Sequence, residues 1–190
     1  ASHFHPDHFN KEVLQWREQR PDIIYIFSKD ILRHRRAQKE DAVWLKKGEE
    51  YKDETLSVRA FGSTDVGVSF LLQASGKKIF HAGDLNNWHW MDESTEAEWK
   101  GAEKNFLHEL DDLYAYTPEV DVAMFPVDPR LGKEYMRGAG QFVTKIKTHI
   151  FVPMHFTPEY AKANAFRDFA EAHGVRFVSL THRGQKIEIE

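Results

Sequence analysis

Six residues near the start of the sequence, His3-Phe4-His5-Pro6-Asp7-His8, gather three imidazoles and a carboxylate in one short stretch. In extended backbone, side chains two apart point the same way, so His3 and His5 face one point. Pro6 prevents the segment from continuing as a helix, and the chain turns. Asp7 and His8 then reach a second point beside the first. Imidazole and carboxylate donors arranged around two neighbouring points suit two cations a few ångströms apart. The competing reading is a histidine-rich surface loop.

Three later places carry matching chemistry. In "FHAGDLNNWHW", Asp84 follows two small residues at a strand end, and a carboxylate has two oxygens with which to bridge. Taken alone, it would read as a hairpin-turn aspartate. In "FVPMHF", His155 lies just past an apolar strand, where a loop histidine is the ordinary alternative. In "FPVDPRLG", Asp128 and Arg130 follow another strand and either contact substrate or pair with each other.

The elements that position these residues alternate along the chain. A short helix is expected over 11–19, capped by Asn10 and closed by Pro21. The sequence predicts strands at 22–27, 42–45, 56–61 and 67–73, and a helix over 29–38. A turn at 74–76 leads into a returning strand over 77–82. Trp99, Ala102, Phe106, Leu110 and Leu113 form one apolar stripe on a helix over 95–115. A strand at 121–125 stops at Pro126, and a long loop follows over 126–140. A helix to about Lys147, a strand at 149–154, a helix at 159–173 with Gly174 as its cap, and strands at 175–180 and 186–190 complete the reading. This is one α/β domain over residues 1–190, with no internal repeat or linker.

Composition narrows the function. The net charge of −4 argues against general attraction to nucleic acid. The basic block Arg33-His34-Arg35-Arg36 is followed by acidic residues and reads as a solvated helix face. The chain has no cysteine, which excludes disulfides and thiolate metal sites. No apolar run approaches the roughly 20 residues of a membrane span. No signal peptide is recognisable, and the expected setting is cytoplasmic, with a small-molecule substrate and no membrane partner.

In order and spacing these motifs resemble the metallo-β-lactamase superfamily. "HFHPDH" fits its H-x-H-x-D-H motif, and "AGD" and "PMHF" resemble its lactonase-like branch, which includes ascorbate-phosphate lactonase relatives. The resemblance implies an αββα sandwich of two mixed β-sheets flanked by helices. It implies a first metal on His3 and His5, a second on Asp7, His8 and His155, and Asp84 as the bridge. The implied cofactors are two divalent ions, zinc first, with manganese or iron also compatible. The implied reaction is hydrolysis by a metal-activated water, with Asp7 and Asp84 as catalytic residues. A small ester, lactone or phosphoester is expected, held by His89, Asp128 and Arg130 with the Trp-rich loop. A nuclease of the same superfamily and a non-catalytic metal-binding protein are the alternatives.

Two features depart from the pattern. Many members of the superfamily supply a third histidine to the first metal from a loop that here reads "FGSTDVGVSF" and has none; Asp65 is the expected substitute, with His81 and His89 as the other candidates. The superfamily's N-terminal strands have no counterpart before His3. The expectation is an open sheet edge beside His3, or an edge covered by a partner chain such as a second copy. Of the other histidines, His81 is expected in a core or supporting role, and His34, His108 and His173 facing solvent. His149 and His182 are not assigned.

Overall fold

A computed structural model describes residues 1–156 and 158–188. Its main sheet has seven strands in sequence order: β3 (Glu50–Lys52), β4 (Leu56–Phe61), β5 (Ser69–Ala74), β6 (Lys77–His81), β7 (Glu119–Pro126), β8 (Lys147–Met154) and β9 (Arg176–Phe177). β3 to β6 pair antiparallel, whereas β6 to β9 pair parallel. The short turn at Ser75-Gly76, both at positive φ, permits the β5–β6 hairpin. Parallel pairing needs crossovers, and helices supply them. These are α2 (Glu96–Tyr116), α3 (Arg137–Lys145), and the pair α4 (Tyr160–Asn164) and α5 (Arg167–Ala172).

Helix α2 starts at a reciprocal capping box between Thr95 and Glu98. It buries Phe106, Leu110 and Leu113, the inner part of its predicted stripe. These join Phe80, Phe125, Phe142, Phe151 and Phe166 in the largest core cluster. A second, smaller sheet holds β1 (Ile26–Ser28) and β2 (Val43–Leu45), paired parallel. Ile26, Val43 and Leu45 pack against Val58, Ala60 and Val68. On its far side, α1 (Lys29–Arg33) and the 3-10 helix Lys11–Glu18 enclose Phe9, Tyr25, Phe27 and Ile31. The layers therefore run helix, sheet, sheet, helix.

Several expectations change. The second sheet has two parallel strands among the described residues, not a mixed set. Ala1 lies along the β1 edge, where its carbonyl accepts from Ser28 and its nitrogen donates to Ile26. The segment 11–19 is a 3-10 helix, and α1 ends at Arg33 rather than 38. Pro126 closes β7 as its last residue, because its pairing with Met154 falls at the strand end. The predicted loop 126–140 holds a 3-10 helix, Pro129–Glu134, and the start of α3. The helix over 159–173 is broken between α4 and α5. Of the predicted strand 175–180, Arg176 and Phe177 pair with β8. Residues 186–188 form no strand, and 189–190 lie outside the described residues. No described helix is long and apolar enough to cross a membrane.

Candidate metal centre

The parallel strands β6, β7 and β8 end side by side, with His81 opposite Met124 and Pro126 opposite Met154. Their C-terminal ends therefore deliver Asp84, Asp128 and His155 to the same edge of the sheet, where open α/β sheets bind ligands. The motif loop meets them there. Its turn is closed by His8 and Phe9 backbone N–H groups donating to the His5 carbonyl. Phe9, 2% exposed, anchors the turn in the core beneath the small sheet. Gly83 has φ 56°, and a Cβ there would lie 2.8 Å from that of Ser2, so glycine allows the two loops to touch.

Three imidazoles converge on Asp84. His3 Nε2 lies 3.2 Å from Oδ2, and His8 Nε2 and His155 Nε2 each lie 3.1 Å from Oδ1. Asp7, exposed, approaches His8 Nε2 at 3.7 Å. Burial alone would raise the Asp84 carboxyl, but its contacts with His155, His3 and His8 outweigh burial and hold it far below the carboxylate range. Burial would likewise lower His155, yet its contacts with Asp128 and Asp84 raise it to about 9.

His155 also sits at φ 64°, an uncommon conformation for a non-glycine residue and one concentrated at functional sites. Its Nδ1 lies 3.0 Å from Asp128 Oδ2. Asp128 is 1% exposed and accepts from the Arg130 backbone and guanidinium as well. Burial would raise Asp128, but His155 and Arg130 hold it at about 2. Asp128 is thus an orienting partner for an imidazole, in the manner of carboxylate–histidine pairs behind metal ligands. Of the two roles expected for it, substrate contact or pairing with Arg130, the contacts show the pairing. Arg130 pairs with it while keeping a side chain 64% exposed.

The donor set fits cations. His3 Nε2 and Asp84 Oδ1 are buried, and neither makes a geometrically acceptable hydrogen bond. Buried polar atoms without a hydrogen-bond partner are costly unless an ion or water joins them. Donor atoms of His5, Asp65 and Asp84 fall within 4.8 Å of one another, as do those of Asp7, His8 and His155. Combinations of His3 with His8 and Asp84, and with His5 and Asp7, meet the same limit. Every residue predicted from the sequence as a ligand is therefore brought together, Asp65 included.

No family model and no curated protein matches the chain. Solved structures do. A candidate metal-dependent hydrolase from Parabacteroides distasonis superposes with a TM-score of 0.64 at 17% identity, over 94% of this chain and 73% of its own. YhfI from Bacillus subtilis, a metallo-β-lactamase fold protein, matches at 0.58 and 9% identity, over 93% and 71%. The chain has the metallo-β-lactamase fold. CmlA, a diiron β-hydroxylase from Streptomyces venezuelae, matches at 0.61 and 14%, over 94% of this chain and 42% of its own. The fold therefore serves more than one reaction class, and the site rather than the fold sets the chemistry.

Within the metallo-β-lactamase fold of this chain, the loop carrying Asp65 is fastened from behind. Thr64 Oγ1 donates to the Asn86 carbonyl at 2.6 Å and accepts from the Asn86 N–H at 3.0 Å. This latch sets Asp65 beside Asp84. A cavity of about 350 Å³ opens over the centre, lined by His5, Asp65, Asp84, Trp88, Trp90 and Arg130 among others.

His89 does not line that cavity. It is 1% exposed, its Nδ1 accepts from the Met91 N–H, and its Nε2 donates to the Glu134 carbonyl. It pins one loop to another, and the aromatic wall expected of it is made by Trp88 and Trp90. His81 has the expected supporting place: its Nδ1 accepts from the Gly83 N–H, and burial lowers it to about 4. His34, His108 and His173 are exposed, as expected. Ser2 and Thr64 carry no motif that marks them as supports. Their one signal in the sequence is adjacency to His3 and Asp65.

Proposed function

We propose that this chain is a metal-dependent hydrolase of a small ester, lactone or phosphoester. The carrying observation is the convergence of His3, His8 and His155 on the two oxygens of one buried aspartate, beneath an open cavity. His3, His5 and Asp65 would hold one cation and Asp7, His8 and His155 the other, with Asp84 within reach of both. Zinc, manganese and iron all suit imidazole and carboxylate donors. Bound cations supply Lewis acidity and bring the pKa of water towards neutrality.

The chain's own residues do the remaining work. Asp7, exposed at the rim of the centre, orients a water and accepts its proton. Asp128 holds the His155 ring through Nδ1, so that Nε2 faces inward. Trp88 and Trp90 shield one side of the cavity from solvent. Arg130, extended at its mouth, attracts an anionic group on the substrate. No Ser or Cys nucleophile is required, consistent with a sequence without cysteine.

The deciding experiment pairs metal analysis of the purified protein with a hydrolysis screen over lactones, carboxylic esters, thioesters, phosphomonoesters and phosphodiesters. Metal content with turnover that is lost on chelation and regained on reloading supports the reading. Metal content without turnover on any class would leave a binding protein. Failure to bind divalent metal at all would remove the reading.

A further inference from the structure

Ser2 is 4% exposed and lies behind the centre. Its hydroxyl is 3.1 Å from His3 Nδ1 and 3.2 Å from His8 Nδ1. The opposite nitrogens of those rings face different oxygens of Asp84, His3 towards Oδ2 and His8 towards Oδ1. The rings run side by side with centroids 4.0 Å apart. One hydroxyl and one carboxylate thus close a loop through two imidazoles. Ser2 is also packed firmly: a Cβ on Gly67 would lie 2.1 Å from its carbonyl oxygen, and one on Gly83 would lie 2.8 Å from its Cβ.

A neutral imidazole carries hydrogen on one ring nitrogen, and a hydroxyl has one hydrogen and two lone pairs. A carboxylate facing both Nε2 atoms pulls hydrogen onto each of them. Both Nδ1 atoms would then need a donor, and the single Ser2 hydrogen could serve one. When both Nδ1 atoms carry hydrogen instead, Ser2 Oγ accepts from both. Both Nε2 atoms then turn lone pairs inward, the form a metal ligand requires. The hydroxyl therefore opposes the pull of Asp84 and disfavours the arrangement in which neither ring can ligate.

We propose that Ser2 is a positioning residue shared by both halves of the centre, its one hydroxyl setting the His3 and His8 rings as ligands together. This rests on the reading of the site as a two-cation centre, in which His3 and His8 belong to opposite halves. Asp128 provides the contrast, since it supports His155 and touches neither of these rings.

The test is titration of the metal-stripped full chain with Co²⁺, followed by calorimetry and visible absorption. Wild type should take up about two equivalents. Ser2→Ala should weaken both binding phases, each by about 10–100-fold, and Ser2→Thr should restore them. Asp128→Asn should weaken one phase. A Ser2→Ala curve that matches wild type, or that is weaker in one phase alone, overturns the proposal while leaving the metal reading intact. Wild type that binds no Co²⁺ removes both. Should Ser2→Ala not fold, long-range ¹H–¹⁵N spectra of the Zn²⁺-loaded wild type decide. Hydrogen on Nδ1 of both His3 and His8 is expected, and a bare Nδ1 on either overturns the assignment.

Discussion

His8 and His155, 147 residues apart in the chain, meet with their Nε2 atoms 3.2 Å apart over the same oxygen of Asp84. The two nitrogens can share one hydrogen when one ring donates and the other accepts. A cation held by both rings and by Asp84 would replace that shared hydrogen. The buried polar atoms of the centre would gain a partner on loading, and stability should report it.

Chelation is expected to destabilise the loaded protein strongly. A site at a free metal concentration of about 100 times Kd contributes about 2.7 kcal/mol. Two such sites in a domain of this size correspond to a fall in Tm of about 10–20 °C on chelation. Asp84→Ala should abolish most of that difference and lower kcat/KM by more than about 100-fold. A thermal scan with and without chelator checks the first, and initial rates check the second.

Asp65→Ala should lower bound metal from about two equivalents towards one. Thr64 fixes the loop from the Asn86 backbone, so the loss is of a ligand rather than of loop order. Asp65→His should regain the stoichiometry, because imidazole is also a donor for these metals. Metal analysis after dialysis reads both variants. Two equivalents retained in Asp65→Ala would remove Asp65 from the ligand set.

His89→Ala should destabilise without altering substrate affinity. The buried ring makes two hydrogen bonds to loop backbone. Losing them and leaving a cavity should cost about 2–4 kcal/mol. Denaturant unfolding measures the loss, and an unchanged KM in the folded variant separates it from a substrate contact.

Acid sensitivity should have a contribution far from the site. Asp53, in the turn between β3 and β4, accepts from the Thr55 backbone and hydroxyl, the Leu56 backbone and the Tyr51 hydroxyl, and these hold it at about 2. Its folded value lies below the unfolded value of about 3.9. The stabilisation is therefore present above the unfolded value and is lost as pH falls through about 2. Asp53→Asn should give a shallower fall of Tm between those two limits. An identical acid limb in the variant would show that the turn contributes nothing to it.

The residues that gather around Asp84 were legible in the sequence from their types, their spacing and the resemblance those carry. His3 and His5 do come together, with ring centroids 4.8 Å apart, but across a bend at Phe4-His5 rather than along extended backbone, and Pro6 opens the turn that brings Asp7 and His8 around. The strands preceding Asp84 and His155 announced themselves by apolar runs, and the resemblance to the superfamily's pattern pointed to the Asp65 loop. The same local logic misjudged the boundaries of α1 and α3 and the last strands. There, pairing with β8 and packing against the core decide where an element stops.

Tertiary structure alone decided which polar residues face the cavity. Trp88, His89 and Trp90 are neighbours in sequence and equal candidates for a substrate wall, yet His89 is buried by the Glu134 loop and the two tryptophans are not. Asp128 and Arg130 were equal candidates for contacting substrate or pairing, and in the fold Asp128 is buried against His155 while the Arg130 side chain stays exposed. Ser2 acquires its place because His3 and His8 lean back on one hydroxyl. In each case the deciding contact comes from chain distant in sequence or from a turn whose closure periodicity does not encode. The sequence by itself picked out the residues that converge around Asp84. Only the fold decided which side chains touch the cavity and which hold the others in place, because burial in a loop depends on what packs over it.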